Sequence, residues 1–285
     1  MIRIQRPVLP TDSKQWTSLS AGYEQARAYF ADSQEDRRQT RFGFPPKWVE
    51  VKGILFKAQH GKCAYCETKL SGFPGDIDHF RPKLFAEDLQ GNQTADSYWW
   101  LAYEWSNLLL SCSVCNAVKR NIFPIDGKRA LGRSDSLPKE YGLLIDPSAE
   151  DPAEHLRFLE DGLVAGISKR GEVTVKVLNL NRADLVGARR AAIKRFQKSP
   201  VKITAEFEFA GALLGIQSPT RSASRKHIKG ADTDRRDNFQ YIRSIELRNF
   251  RSIDILTLNL WPEQGESVGY WKVVLGENAR GRARF

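Results

Sequence analysis

The chain is poor in sulfur and has no long apolar run. One methionine and four cysteines stand among 285 residues. The longest apolar stretches, such as Leu108 to Leu110, fall far short of the roughly 20 residues a membrane span requires. The N-terminus, MIRIQRPVLPTDSK, has neither an apolar h-region nor a small-residue cleavage site, so the expectation is a soluble, cytoplasmic protein with no membrane partner. No internal repeat is present. Hydrophobic residues make up 41% and charged residues 27%, ordinary values that exclude wholesale disorder and a coiled-coil rod. The length suits one large domain or two modest ones. Lys and Arg exceed Asp and Glu by a net charge of +10, a balance that leans toward a polyanionic partner.

The few cysteines are not scattered. Cys63 pairs with Cys66 in KCAYCE and Cys112 with Cys115 in SCSVCN. Two residues between cysteines let a tight turn aim both sulfurs at one point, and two such turns supply the tetrahedral set of four thiolates that Zn²⁺ prefers. Two disulfides or a redox CxxC are the rival readings; the cytosol disfavours the first and duplication the second. A zinc held by four thiolates keeps no open position for water, so its role is folding rather than chemistry.

The long insert between the pairs contains GDIDHFRPK, residues 75–83, which reads as a short strand from Asp76 to Phe80 halted by Pro82. Asp78 and His79 stand at its end. Neighbouring strand residues point to opposite faces, so the two can do separate jobs, one holding a metal and one facing a substrate. The aromatics from Tyr98 to Trp105 are core candidates, and Asn107 follows them. SVCNAVKRNIF reads as a short helix on which spacings of three and four put Asn116, Lys119 and Arg120 on one side.

The order CxxC, Asp-His, Asn-Leu, then CxxCN with a trailing Lys resembles the HNH endonuclease superfamily. That resemblance implies a catalytic unit of two strands and a helix around one divalent metal. It makes His79 the general base, Asn107 the residue that orients it, and Asp78 and Asn116 the ligands of a catalytic Mg²⁺ or Mn²⁺. Arg81, Lys83, Lys119 and Arg120 are candidates for phosphate contacts, with a solvated basic face as the plain alternative. His60, three residues before the first cysteine, reads as a helix C-terminal cap that Gly61 ends; His155 and His227 receive no role.

The pieces IQRP, DHFRPK, Cys115 to Pro124, LIDPSAEDP and Leu178 to Arg189 narrow the resemblance. Across about residues 1–200 they are similar to the HNH effectors of the Septu and retron-associated anti-phage systems. Such effectors work with a separate ABC-like ATPase and act on nucleic acid, here expected to be DNA.

Helical spacing in WTSLSAGYEQARAYFADSQEDRR and KWVEVKGILFKAQH, broken at Pro45 and Pro46, predicts two N-terminal helices. A β-hairpin and helix are expected over 140–181, then a basic helix passing into a linker. Between Arg182 and Gly230 eleven Lys and Arg face three Asp and Glu; the helix either tracks nucleic-acid backbone or is a solvated surface. From Tyr241 two alternating strands and WKVVLGENARGRARF resemble the start of SMC-like and ABC-like ATPases. Gly276, Glu277, Asn278 and Gly281 match the phosphate loop of that family, but Ala279, Arg282 and Ala283 replace its glycine, lysine and hydroxyl. Nucleotide hydrolysis by this segment is therefore not expected, and it reads as a shortened ATPase fragment or as a docking tail. The expected organisation is α+β: an HNH domain at 1–200 with a ββα-metal core and a pair of zinc knuckles embedded in helices, a basic linker at 201–237, and a short β-rich stub at 238–285. Two rival functions stay open, a zinc-ribbon nucleic-acid-binding module without catalysis and an adaptor that regulates an ATPase.

Overall fold

The computed structural model describes residues 1–33, 36–39, 42–72, 75–217 and four strands between 233 and 259. They divide into two units, Met1–Pro219 and Thr220–Phe285. The first begins with an extended segment whose Met1, Ile4 and Leu9 are buried, followed by helix α1 (Lys14–Ala31), which Ser13 caps by accepting from the Trp16 amide. Leu19, Gly22 and Ala26 form the buried stripe of α1. Gly22 is required there because a Cβ would lie 2.4 Å from the Tyr103 ring. Helix α2 (Lys52–Ala58) follows the two prolines, so the predicted pair of N-terminal helices forms.

Beyond α2 the chain makes the first cysteine turn and enters β1 (Asp76–His79). A small hairpin of β2 (Phe85–Glu87) and β3 (Gln93–Ala95) follows. The aromatic stretch then dives inward, with Tyr98, Trp100, Tyr103 and Trp105 buried. It leads into β4 (Leu108–Ser111), which runs antiparallel to β1 with Asp76 opposite Ser111 and His79 opposite Leu108. All of β4 is buried; one side chain helps to hold it, because Gln59 accepts from the Leu110 amide and donates to the Leu110 carbonyl, extending the two-stranded sheet by one residue. Helix α3 (Ser113–Lys119) starts at once, capped by Cys112.

The rest of the first unit is the expected hairpin, β5 (Leu156–Phe158) and β6 (Val164–Gly166), then α4 (Lys169–Val177), α5 (Ala183–Lys198) and α6 (Ala210–Gln217). Inclusion of α6 extends this unit past the expected boundary at 200. The reason is visible at the first cysteine turn, where buried Lys62 donates to the Phe207 carbonyl and the Gly211 amide donates to Glu67. In the second unit β7 (Thr233–Arg236) pairs with β8 (Phe239–Ile242), and β9 (Ser244–Phe250) with β10 (Ile253–Asn259), both antiparallel. The glycine-rich loop with Gly276, Asn278, Gly281 and Arg282 lies outside the described residues, as does His227.

Candidate functional site

The four cysteines converge. The first pair sits in a turn closed by Cys63 N to Thr68 O at 3.0 Å and Glu67 N to Cys63 O at 3.1 Å, with Glu67 in the left-handed region at φ 63°. The second pair is the cap and first turn of α3. All four sulfurs lie within 4.8 Å of one another. None is bonded to another, and the Cys66–Cys112 approach of 3.7 Å is far longer than the ~2.05 Å of a disulfide. The thiols polarise one another. Hydrogen bonds from Cys112, Cys115 and Cys63 pull Cys66 well below the usual thiol value, and those with Cys115 and Cys63 hold Cys112 at about 7, while burial pushes Cys63 up. Four clustered sulfurs, three of them buried, can all ionise only around a cation, so the donor set suits a structural metal such as zinc. Arg182, just before α5, aims its guanidinium at this cluster, with Nη1 3.8 Å from Cys115 Sγ.

Asp78 and His79 end β1 on opposite faces. His79 is 6% exposed, with Trp48 edge-on at 4.7 Å. Its Nε2 lies 2.9 Å from the Ala102 carbonyl; a carbonyl only accepts, so Nε2 carries the proton of the neutral ring and Nδ1 holds a lone pair. The Lys83 ammonium stands 3.5 Å from that Nδ1, over the Trp48 ring at 4.6 Å. Burial first, then Lys83, drives the His79 pKa well below 6.5. Asn107 clamps the loop that follows: its Oδ1 accepts from the Arg81 amide at 2.8 Å, and its Nδ2 donates to the carbonyls of Arg81 and Leu101.

On the other face both oxygens of Asp78 are taken. Tyr65 OH donates to Oδ2 at 2.5 Å and Lys119 Nζ to Oδ1 at 3.1 Å. Burial, then the negative charge of Asp78, keeps the Tyr65 hydroxyl protonated. Lys119 is fully buried, which removes it from any phosphate contact. Arg120 lies past the end of α3 at φ 46° and is exposed, so the predicted shared face of Asn116, Lys119 and Arg120 does not form. Asn116 is half-buried on the turn of α3 before Lys119. Arg81 also differs from expectation, since Glu140, itself buried, binds its Nε at 3.1 Å. Of the four expected phosphate-binding cations, Lys83 and Arg120 have no carboxylate partner among the described residues. Tyr65, Gln59, Glu140 and Arg182 were missed from the sequence. Only Tyr65, inside KCAYCE, carried a local signal.

The terminal motif pieces prove to be a latch. Arg6 donates to the carbonyls of Trp105 and Leu108 and to Ser148. Glu150 receives Arg170 through both oxygens and His155 through one, and His155 also meets Ser168. His60 and Gly61 both occupy left-handed positions after α2, at φ 54° and 66°, with His60 N bonded to Lys57 O and Gly61 N to Phe56 O, a Schellman closure of the helix.

No protein-family model matches the chain. It is 36% identical over 226 residues to the Septu protein PtuB of Bacillus mycoides (strain KBAB4), an alignment spanning 76% of this chain and 75% of that protein. The chain belongs to the PtuB family of Septu proteins. A second PtuB, from Bacillus thuringiensis, is 30% identical over 136 residues, covering 47% of this chain and 42% of its own length. The Septu protein PtuA of Bacillus mycoides (strain KBAB4) is 41% identical over 140 residues, which span 48% of this chain but 20% of PtuA. The shares matched to PtuB and PtuA of that strain overlap, so one stretch of this PtuB-family chain is similar to both proteins. Among its described residues no helix is long and apolar enough to cross a membrane.

Proposed function

We propose that this PtuB-family chain is an HNH-type endonuclease, the effector of a Septu anti-phage system that hydrolyses nucleic-acid phosphodiesters, DNA foremost, together with a PtuA-type ATPase partner. The observation that carries the reading is the state of His79. Its Nε2–H is fixed on the Ala102 carbonyl, which orients the ring with the Nδ1 lone pair as its only basic atom, while burial and then Lys83 keep it neutral. A water that replaces the Lys83 ammonium at Nδ1 gives its proton to that nitrogen as its oxygen attacks phosphorus, and the phosphodiester oxygen on the far side leaves and takes a proton from solvent. Asn107 fixes the loop carrying Arg81 against Leu101 and so keeps Lys83 beside the imidazole. The Lys83 ammonium offers charge to a non-bridging phosphate oxygen, and the net charge of +10 favours a polyanion. The position of His79 at the end of a two-stranded sheet that runs into a helix supports the HNH reading.

The four cysteines fit the implied zinc. The second ion, the Mg²⁺ or Mn²⁺ implied at Asp78 and Asn116, does not fit these donors, because Asp78 already binds Tyr65 and Lys119 and is nearly sealed from solvent. The steps above therefore use the chain's own groups. The low exposure of His79 favours the non-catalytic rivals, the zinc-ribbon nucleic-acid-binding module and the ATPase-regulating adaptor. Cleavage of plasmid DNA by the chain with its PtuA partner, compared with His79→Ala, separates these from the nuclease. The nuclease reading expects a loss of roughly 10² to 10⁴ with partner binding intact, and equal cleavage by the variant overturns it.

A further inference from the structure

Among the described residues Lys119 is the ionised side chain with the least ordinary surroundings. It has no exposed surface, and its ammonium joins two oxygens of β1, Asp78 Oδ1 at 3.1 Å and the His79 carbonyl at 2.7 Å. Tyr65 fills the other oxygen of Asp78 from the opposite side. A cation bridging a carboxylate and a neighbouring carbonyl is how a divalent ion would sit at this strand end. We infer that the Lys119 ammonium permanently holds the cation position at Asp78, closing it to divalent metal. Asp78, Lys119 and Tyr65 then form an internal joint that sets His79.

The physical argument has three parts. Mg²⁺ and Mn²⁺ take six oxygen ligands at roughly 2.0–2.2 Å, and Mg²⁺ keeps several waters among them; a carboxylate side chain 5% exposed leaves no space for such a shell. A divalent ion on either Asp78 oxygen or on the His79 carbonyl would also stand against the ammonium, in a buried setting where like charges repel strongly. Finally, Lys119 cannot step aside cheaply. It is the last residue of a seven-residue helix whose first turn is tied into the cysteine cluster, and withdrawal would leave Asp78 buried and unpaired.

The joint has a positional consequence. Tyr65 lies between the first two cysteines, Asp78 on β1 and Lys119 on α3, so it fastens both cysteine turns to the strand end. Because Lys119 holds the His79 carbonyl, the His79 backbone is fixed on one side while its ring is fixed on the other by Ala102. Lys119 and Tyr65 are thus positioning residues. This inference concerns which cation occupies Asp78, and it can fail while the nuclease reading stands, or the reverse.

The test uses the full, zinc-loaded chain. A buried, hydrogen-bonded lysine ammonium exchanges slowly enough to be followed by ¹H–¹⁵N NMR, and the Lys119 signal should be present and stay unmoved on titration with Mg²⁺. Mn²⁺ titration followed by EPR of the free ion should give the same binding curve for the parent and for Asp78→Asn. Lys119→Met, which leaves the carboxylate without its cation, should gain one Mn²⁺ site at least about tenfold tighter than any in the parent. If that variant does not fold, the two measurements above still decide. Displacement of the Lys119 signal by Mg²⁺, or parent Mn²⁺ binding that disappears in Asp78→Asn, would overturn the inference.

Discussion

At the scale of single residues, charge is placed so that buried groups are answered by specific partners. Arg182 is the case with the plainest consequence. Four thiolates around one divalent ion carry an excess of negative charge, and the guanidinium beside Cys115 offsets it; despite burial, which opposes it, attraction to Cys115 and Cys66 raises the Arg182 pKa. Partners of this kind tune metal affinity by about 10- to 100-fold. Arg182→Met should therefore weaken zinc binding by roughly tenfold in competition with a chelator, and unchanged affinity would remove Arg182 from the site. His79 supplies a pH dependence. Its folded pKa lies well below the unfolded value of about 6.5, so above pH ~6.5 both states are neutral and stability does not change through this group. As pH falls below that value the unfolded chain takes the proton first. Stability should then fall by at most about 1.4 kcal/mol per pH unit until the folded pKa is reached. Urea midpoints measured from about pH 7 to pH 5 should show a steeper decline for the parent than for His79→Gln, in which other groups titrate alike. On the nuclease proposal, and for the same reason, cleavage should not gain from raising pH above ~6.5 through this histidine, contrary to what an unperturbed imidazole would give.

At the scale of elements, close backbone approach fixes how α4 meets the β5–β6 hairpin. Ser168 caps α4 by accepting from the Gly171 amide. A Cβ on Gly171 would lie 2.0 Å from the His155 carbonyl oxygen and 3.0 Å from Gly166 Cα. Helix propensity alone would reward Gly171→Ala with about 1 kcal/mol. The clash is with backbone atoms of a second element, which cannot rotate away, and overpacking of that kind costs about 1–3 kcal/mol. The steric effect wins, so Gly171→Ala should lower the denaturation midpoint. A higher midpoint would mean that helix and hairpin are not packed as described.

At the scale of the molecule, the division near Pro219 separates two possible truncations. Cutting after Pro219 keeps α6 and the partners of the first cysteine turn, and should leave zinc content and the unfolding midpoint of the first unit unchanged. A cut after residue 200 removes Phe207, whose carbonyl Lys62 uses, Glu208, which accepts from the Lys69 amide, and Gly211, which donates to Glu67. Lys62 and Glu67 keep each other, and Glu67 keeps the Met1 ammonium, so each lost hydrogen bond costs about 0.5–1.5 kcal/mol. The shorter chain should unfold earlier and lose zinc more readily, as scanning calorimetry with metal analysis would read. Equal behaviour of the two truncations would show that α6 is not a working part of the first unit.

The sequence by itself determined the cysteine pairing into one cluster, because CxxC spacing is a local constraint that needs no knowledge of the rest of the chain. It also determined the N-terminal helices, the aromatic core after Tyr98 and the hairpin followed by a helix, since each is written in periodicity over a short window. Asp78 and His79 were legible as a strand end with two faces. What only the tertiary structure decided is what those faces meet. Lys119 looked like one more exposed cation because helical spacing gives an angle and not a depth; the shortness of α3 and its tie to the cysteines bury it against Asp78 and leave Arg120 outside. Arg81 turned to Glu140, 59 residues away, and Arg182 to Cys115, 67 away, over separations at which sequence pattern carries no distance. The place of α6 in the first unit was hidden for the same reason, since Lys62 and Glu67, which anchor it, lie 145 and 144 residues before their partners.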